Sequence, residues 1–92
     1  MADRVPFRAC DLVRHKPSGE QWTLACDEES GYVVCAGWPE THAPWSDCDL
    51  LVAASDEERV GFLRLVAKTG GGGVRGARAA RQLKAIEETN HA

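Results

Sequence analysis

The chain has no apolar run near the roughly 20 residues that a membrane-spanning helix needs. Its opening, MADRVPFRACDL, has no hydrophobic signal region. A cytoplasmic protein is the expectation, with its four cysteines as free thiols. No two of these cysteines have the short spacing common in zinc sites. Cys10, Cys26, Cys35 and Cys48 lie 16, 9 and 13 positions apart. They read as small buried hydrophobes on strands, and a zinc site assembled from Cys35, His42, Cys48 and one further ligand is the weaker alternative. The recognisable parts of phosphoryl-, glycosyl- and hydride-transfer enzymes are also missing. The run TGGGG, Thr69 to Gly73, follows a helical segment and leads into Val74 and Arg75, so it lacks the Gly-Lys-Ser/Thr ending of a phosphate loop. A nucleophilic triad of Cys35, His42 and Asp47 has no sequence rule to bring it together. These absences point to a protein that is not an enzyme and uses no cofactor and no metal.

Aromatic residues are scarce, at 7% of 92 residues, yet two of the three tryptophans fall in the nine-residue stretch GWPETHAPW, Gly37 to Trp45, with two of the four prolines. A chain of this length makes one domain with a small core. Each large aromatic therefore carries much of the buried area. Net charge is −3 and uneven: residues 1–54 carry −5 and residues 55–92 carry +2. The first part should repel phosphate backbones, so any nucleic-acid contact falls to the second.

Short strands come first. DLVRH, Asp11 to His15, ends at the turn residues Pro17, Ser18 and Gly19. QWTLACD alternates, with Trp22, Leu24 and Cys26 on one face. A turn with Gly31 at positive φ leads into YVVCAGW, apolar on both faces and therefore expected to be central. The prolines of GWPETHAPW oppose both helix and regular strand. SDCDLLVA, Ser46 to Ala53, reads as a last strand with Cys48, Leu50 and Val52 on one face. The period then changes. Ser55 and Glu58 match a capping box, and Phe62, Leu63 and Val66 form the apolar side of a helix. In VRGARAARQLKAIEE, Ala79, Leu83 and Ile86 share a face, with Arg75, Arg78, Arg81 and Lys84 fanned across the opposite half.

The run DLVRHKPSGEQWTLAC, followed by GYVVCAGWP and SDCDLL, resembles a set of small uncharacterised bacterial and phage proteins, and in general pattern the KOW and Tudor-like barrels. The similarity covers roughly residues 10–52. It implies a mainly β fold, a small SH3-like antiparallel barrel of four to five strands followed by one or two helices. The expected organisation is a flexible arm at 1–9, the barrel at 10–54, a packing helix at 55–68, a glycine linker at 69–73, and a basic helix and tail at 74–92. The same resemblance implies a phage or prophage accessory role, since such barrels bind peptides, nucleic acids or other subunits.

Two surfaces are candidates for function. The first is the rim loop, with Trp38, His42 and Trp45 contacting a protein or peptide; tryptophan is common in binding hot spots and proline lowers the ordering cost. The opposing reading makes these indoles, with Trp22, a lid over an open sheet. The second is the basic helix, with Arg75, Arg78, Arg81 and Lys84 contacting nucleic acid. Its plain alternative is a solvated face whose apolar stripe docks on the same chain or on a second copy in a homodimer.

Overall fold

The computed structural model describes residues 4–37, 41–69 and 73–89. Strand β1 (Leu12–His15) pairs antiparallel with β2 (Glu20–Thr23) across the Lys16–Gly19 turn, where Gly19 takes φ +73° and donates its amide to the His15 carbonyl at 2.8 Å. The turn is braced by a 2.7 Å hydrogen bond between His15 Nδ1 and Ser18 Oγ. His15 then stacks on Trp22, ring centroids 4.2 Å apart, which leaves Trp22 buried.

Strand β3 (Tyr32–Val34) follows the positive-φ pair Ser30 and Gly31 and pairs with β4 (His42–Pro44). A 3-10 turn at Trp45–Asp47 leads into β5 (Cys48–Val52), which returns to pair with β1. The stretch expected to resist regular structure thus contributes a short strand and a helical turn. Proline is tolerated there because β4 has a strand neighbour on only one side.

The expected closed barrel does not form, and the fold is not mainly β. The strands sort into a three-stranded sheet, β2-β1-β5, and a two-stranded sheet, β3-β4. Among the described residues the backbone links between the sheets are the isolated Leu24–Cys35 bridge and two flanking bonds of 2.8 Å, Ala25 N to Val34 O and Ala36 N to Thr23 O. Among the described residues no ladder joins β4 to β5, because Pro44 and the 3-10 turn divert the chain between them. The helices α1 (Asp56–Thr69) and α2 (Val74–Thr89), of fourteen and sixteen residues, outweigh the five short strands. The architecture is α+β.

Two apolar clusters replace a single barrel interior. One lies within the sheets and joins Val13, Trp22, Leu24, Val33, Ala43 and Cys48, with Phe7 packed against it. The other lies under the helices and joins Ala25, Cys26, Val34, Leu63, Val66 and Ala79. Val33 and Val34 are both fully buried but belong to different clusters, so β3 is covered on both faces although it is not the central strand of a sheet. Leu24 and Ala25 divide in the same way, so the alternation read from QWTLACD continues past the end of β2 and breaks at Cys26, which joins the cluster of Ala25 instead of that of Trp22 and Leu24.

The helices are set by local chemistry. Ser55 and Glu58 form a reciprocal cap, with Ser55 N donating to Glu58 Oε1 at 2.9 Å and Glu58 N donating to Ser55 Oγ at 3.1 Å. That bonding holds the Glu58 carboxyl below its usual range. Leu63 and Val66 of α1 are buried against Ala79 of α2, with Leu83 and Ile86 packed at the edge of the same cluster. α2 therefore docks on α1 of its own chain.

Candidate functional site

Strand β5 lies at the edge of its sheet. Its pairing with β1 slips between Leu12 and Val13, so that Leu12 faces Val52 while Val13 faces Leu50, and Leu51 becomes the extra residue of a bulge. The slip breaks the single apolar face expected for Cys48, Leu50 and Val52. Cys48 is buried, whereas Leu50, Leu51 and Val52 are 49%, 44% and 59% exposed.

Beside β5 runs a cleft of about 410 Å³. Arg4, Val5 and Phe7 form one wall, with Trp45, Cys48 and Leu50 opposite. The segment that makes the first wall is held at both ends. Arg4 pairs through both guanidinium nitrogens with the Glu28 carboxylate, and its guanidinium lies 3.7 Å from the centre of the Trp45 ring. Phe7 O accepts from Glu28 N at 3.0 Å. At the other end, buried Asp11 accepts hydrogen bonds from Arg8 N at 2.8 Å and Ala54 N at 2.7 Å, joining the arm, the start of β1 and the end of β5. Arg8 also pairs with Asp56 at 2.9 Å.

Of the three residues expected at the rim, Trp45 lines this cleft. Trp45 is 40% exposed, with its amide bonded to Gly31 O at 2.9 Å. His42 is exposed on β4, opposite Val34. Trp38 lies outside the described residues. What the sequence reading missed is the company Trp45 keeps. Among the described residues, eight large apolar side chains are exposed, and five of them, Val5, Trp45, Leu50, Leu51 and Val52, sit on or beside β5. The available signal was the run Leu50-Leu51-Val52 in the last strand before the helices, where an edge position leaves consecutive apolar residues without cover.

The basic helix behaves differently. Arg75 Nη1 donates to the carbonyls of Ala36 and Gly37 at 2.8 and 2.7 Å. Arg81 makes a two-pronged pair with Glu29 at 2.7 and 3.0 Å, and Arg78 approaches the same carboxylate at 3.6 Å. The Arg78 side chain is 14% exposed, and its Nη1 is buried without a hydrogen-bond partner. Gln82 completes the cluster, accepting from Asp27 N at 2.8 Å and donating to Asp27 O and Glu29 Oε2 at 2.9 and 2.8 Å. The fan of cations read as opposite the apolar stripe is thus turned back, in three of its four members, onto the loops of the sheet. Lys84 alone of the four stays exposed with no such partner. Arg81 above all holds the Glu29 carboxyl below its usual range, with Gln82 and Arg78 aiding and burial opposing.

The cysteines remain thiols. Burial pushes Cys26 up to about 11 and raises Cys48, which makes both poor nucleophiles. Cys35 Sγ accepts from the Gly37 amide at 3.4 Å. Among the described residues no group of three or more His, Cys, Asp or Glu is placed to hold a metal, and no helix is long and apolar enough to cross a membrane. Compared with known protein families, curated proteins and solved structures, the chain matches none, so the similarity noted above rests on its quoted residues alone.

Proposed function

We propose that this protein is a non-catalytic interaction module whose contact face is β5 together with the cleft under Arg4 and Trp45. One observation carries the reading: five of the eight exposed large apolar side chains among the described residues gather at this one edge. Exposed apolar residues scattered singly need no explanation, but a contiguous group marks an association surface. Trp45 supplies the amphipathic ring that such surfaces favour. The nucleic-acid reading finds less support, since Arg75, Arg78 and Arg81 already donate to or pair with protein acceptors. Releasing them for phosphates would leave Glu29 unpaired.

Site-specific photo-cross-linking tests the reading. A benzophenone side chain replaces Leu50 in one sample and Leu65, an exposed leucine on α1, in the other. Irradiation in a lysate of the source cells should give a discrete protein adduct at position 50 and only background at 65. Equal background at both positions would overturn the proposal.

A further inference from the structure

We infer that the partner of this face is a second copy of the same chain, joined by antiparallel pairing of β5 with β5 across a two-fold axis. The inference rests on the interaction-module reading above and supplies its occupant. Edge strands present unpaired amides and carbonyls, and proteins normally blunt them with lysine, proline, a β-bulge or cover. β5 reads Cys-Asp-Leu-Leu-Val, with no lysine and no proline, no strand covers its outer side among the described residues, and the bulge at Leu51 is the one such device it carries.

An isologous contact must be complementary to itself, and β5 is. With Leu51 on the axis, Leu51 meets Leu51 of the second copy, Leu50 meets Val52, and Asp49 meets Ala53. The three central pairs are apolar and no like charges stand opposed, the condition under which cross-strand pairs stabilise a sheet. Asp49 keeps its own neighbour, Lys16 Nζ, at 3.9 Å. The product is a six-stranded sheet, β2-β1-β5-β5-β1-β2, an ordinary size.

The area sets the strength. The exposed parts of Val5, Trp45, Leu50, Leu51 and Val52 amount to roughly 500 Å² per copy, so two copies bury at most about 1,000 Å², the lower limit for a specific interface. An interface no larger than this is weak and concentration-dependent. A heterologous strand would need matching apolar residues of its own; the second copy brings them by construction.

Sedimentation equilibrium between about 10 µM and 1 mM reads the outcome. The mean mass of the full chain should rise from near 10 kDa toward 20 kDa across that range. Leu51→Lys places two ammonium groups face to face on the axis and should weaken association at least tenfold, while Leu65→Lys on α1 leaves it unchanged. Circular dichroism verifies that each variant keeps its helices. Hydrogen exchange on the unaltered chain needs no variant: β5 amides should be protected at least severalfold more at 1 mM than at 10 µM. A chain that stays monomeric at 1 mM, or that dimerises as strongly with Leu51→Lys, would overturn the inference. The cross-linking result separates the two claims. An adduct with a different protein at position 50 from a monomeric chain keeps the module and removes the second copy. Background alone at position 50, from a chain that also stays monomeric at 1 mM, removes both.

Discussion

The helical side and the β5 side of this molecule treat exposed residues in opposite ways. Under the helices, charge does the closing: Asp27, Glu29, Arg59, Arg78, Arg81 and Gln82 interlock above a buried apolar cluster. Arg59 Nε reaches both Asp27 oxygens, at 3.0 and 3.2 Å, and Ala9 N donates to the same carboxylate at 2.9 Å. Along β5 there is no such cover, and three consecutive apolar residues face outward. The difference teaches where a small protein keeps its stability and where it leaves surface for contact. Polar groups that are fully bonded fix one arrangement, whereas an uncovered apolar edge gains most when something else lies against it.

The sharpest test of this contrast compares two leucines. Leu63→Ala empties a fully buried site between α1 and α2 and should destabilise by about 2–5 kcal/mol. Leu51→Ala at the β5 bulge should change stability by no more than about 0.5 kcal/mol at dilute concentration. Urea unfolding of both variants measures the gap. Similar costs would break the comparison, since β5 would then be part of the core.

The polar closure comes next. Glu29→Ala leaves Arg78 and Arg81 facing one another with no carboxylate between them, and strands a donor of Gln82. The expected cost is about 1–3 kcal/mol. The pH dependence has a definite sign. The folded carboxyl titrates below the unfolded one, so its contribution is complete above roughly pH 4.3 and is lost as pH falls through the lower folded value. Acid unfolding curves for the native chain and Glu29→Ala should therefore converge as the folded carboxyl becomes protonated, and curves that stay parallel would contradict this role.

Cys26 sharpens the same side from the alkaline end. Its thiol is raised to about 11 by burial, against which the nearby Arg78 charge works only in part. The folded protein keeps a proton that the unfolded chain gives up near pH 8.5. This stabilisation is complete below that pH and is lost as pH rises toward about 11. Cys26→Ser should flatten that part of the pH–stability curve. In thiol-labelling at pH 8, Cys10 and Cys35 should react well before Cys26 and Cys48, the two buried cysteines.

Much of the local structure was readable in residues whose chemistry acts within a few positions. Ser55 and Glu58 announced the start of α1, Gly19 and Gly31 their turns, and Leu63, Val66, Ala79 and Leu83 the faces that pack. What failed depended on partners far along the chain. The barrel was inferred from a succession of strands, but closure requires a ladder between β4 and β5, and Pro44 with the following 3-10 turn prevents one. The arginines of α2 looked solvated because helical spacing shows which residues share a face, not which loop that face meets; Glu29 lies 52 positions from Arg81. The bulge at Leu51 was equally hidden, since a one-residue slip leaves no mark in a run of three apolar side chains.

A smaller loss than that at Leu63 or Glu29 bears on the seam between the two regions. Arg4 ties the arm both to the loop carrying Glu28 and to the Trp45 ring on the β5 side. Arg4→Lys keeps the charge beside Glu28 but gives up the planar group that stacks on the indole and reaches both carboxylate oxygens. The loss should be about 0.5–1 kcal/mol, the scale of one partly exposed cation–π contact. Its clearer trace is optical. With the guanidinium gone, Trp45 should become more open to iodide, while buried Trp22, shielded by His15, keeps its emission. If quenching is unchanged in Arg4→Lys, the arm is held by Phe7 and Asp11 rather than by the stacked arginine, and the cleft beside β5 has a fixed wall.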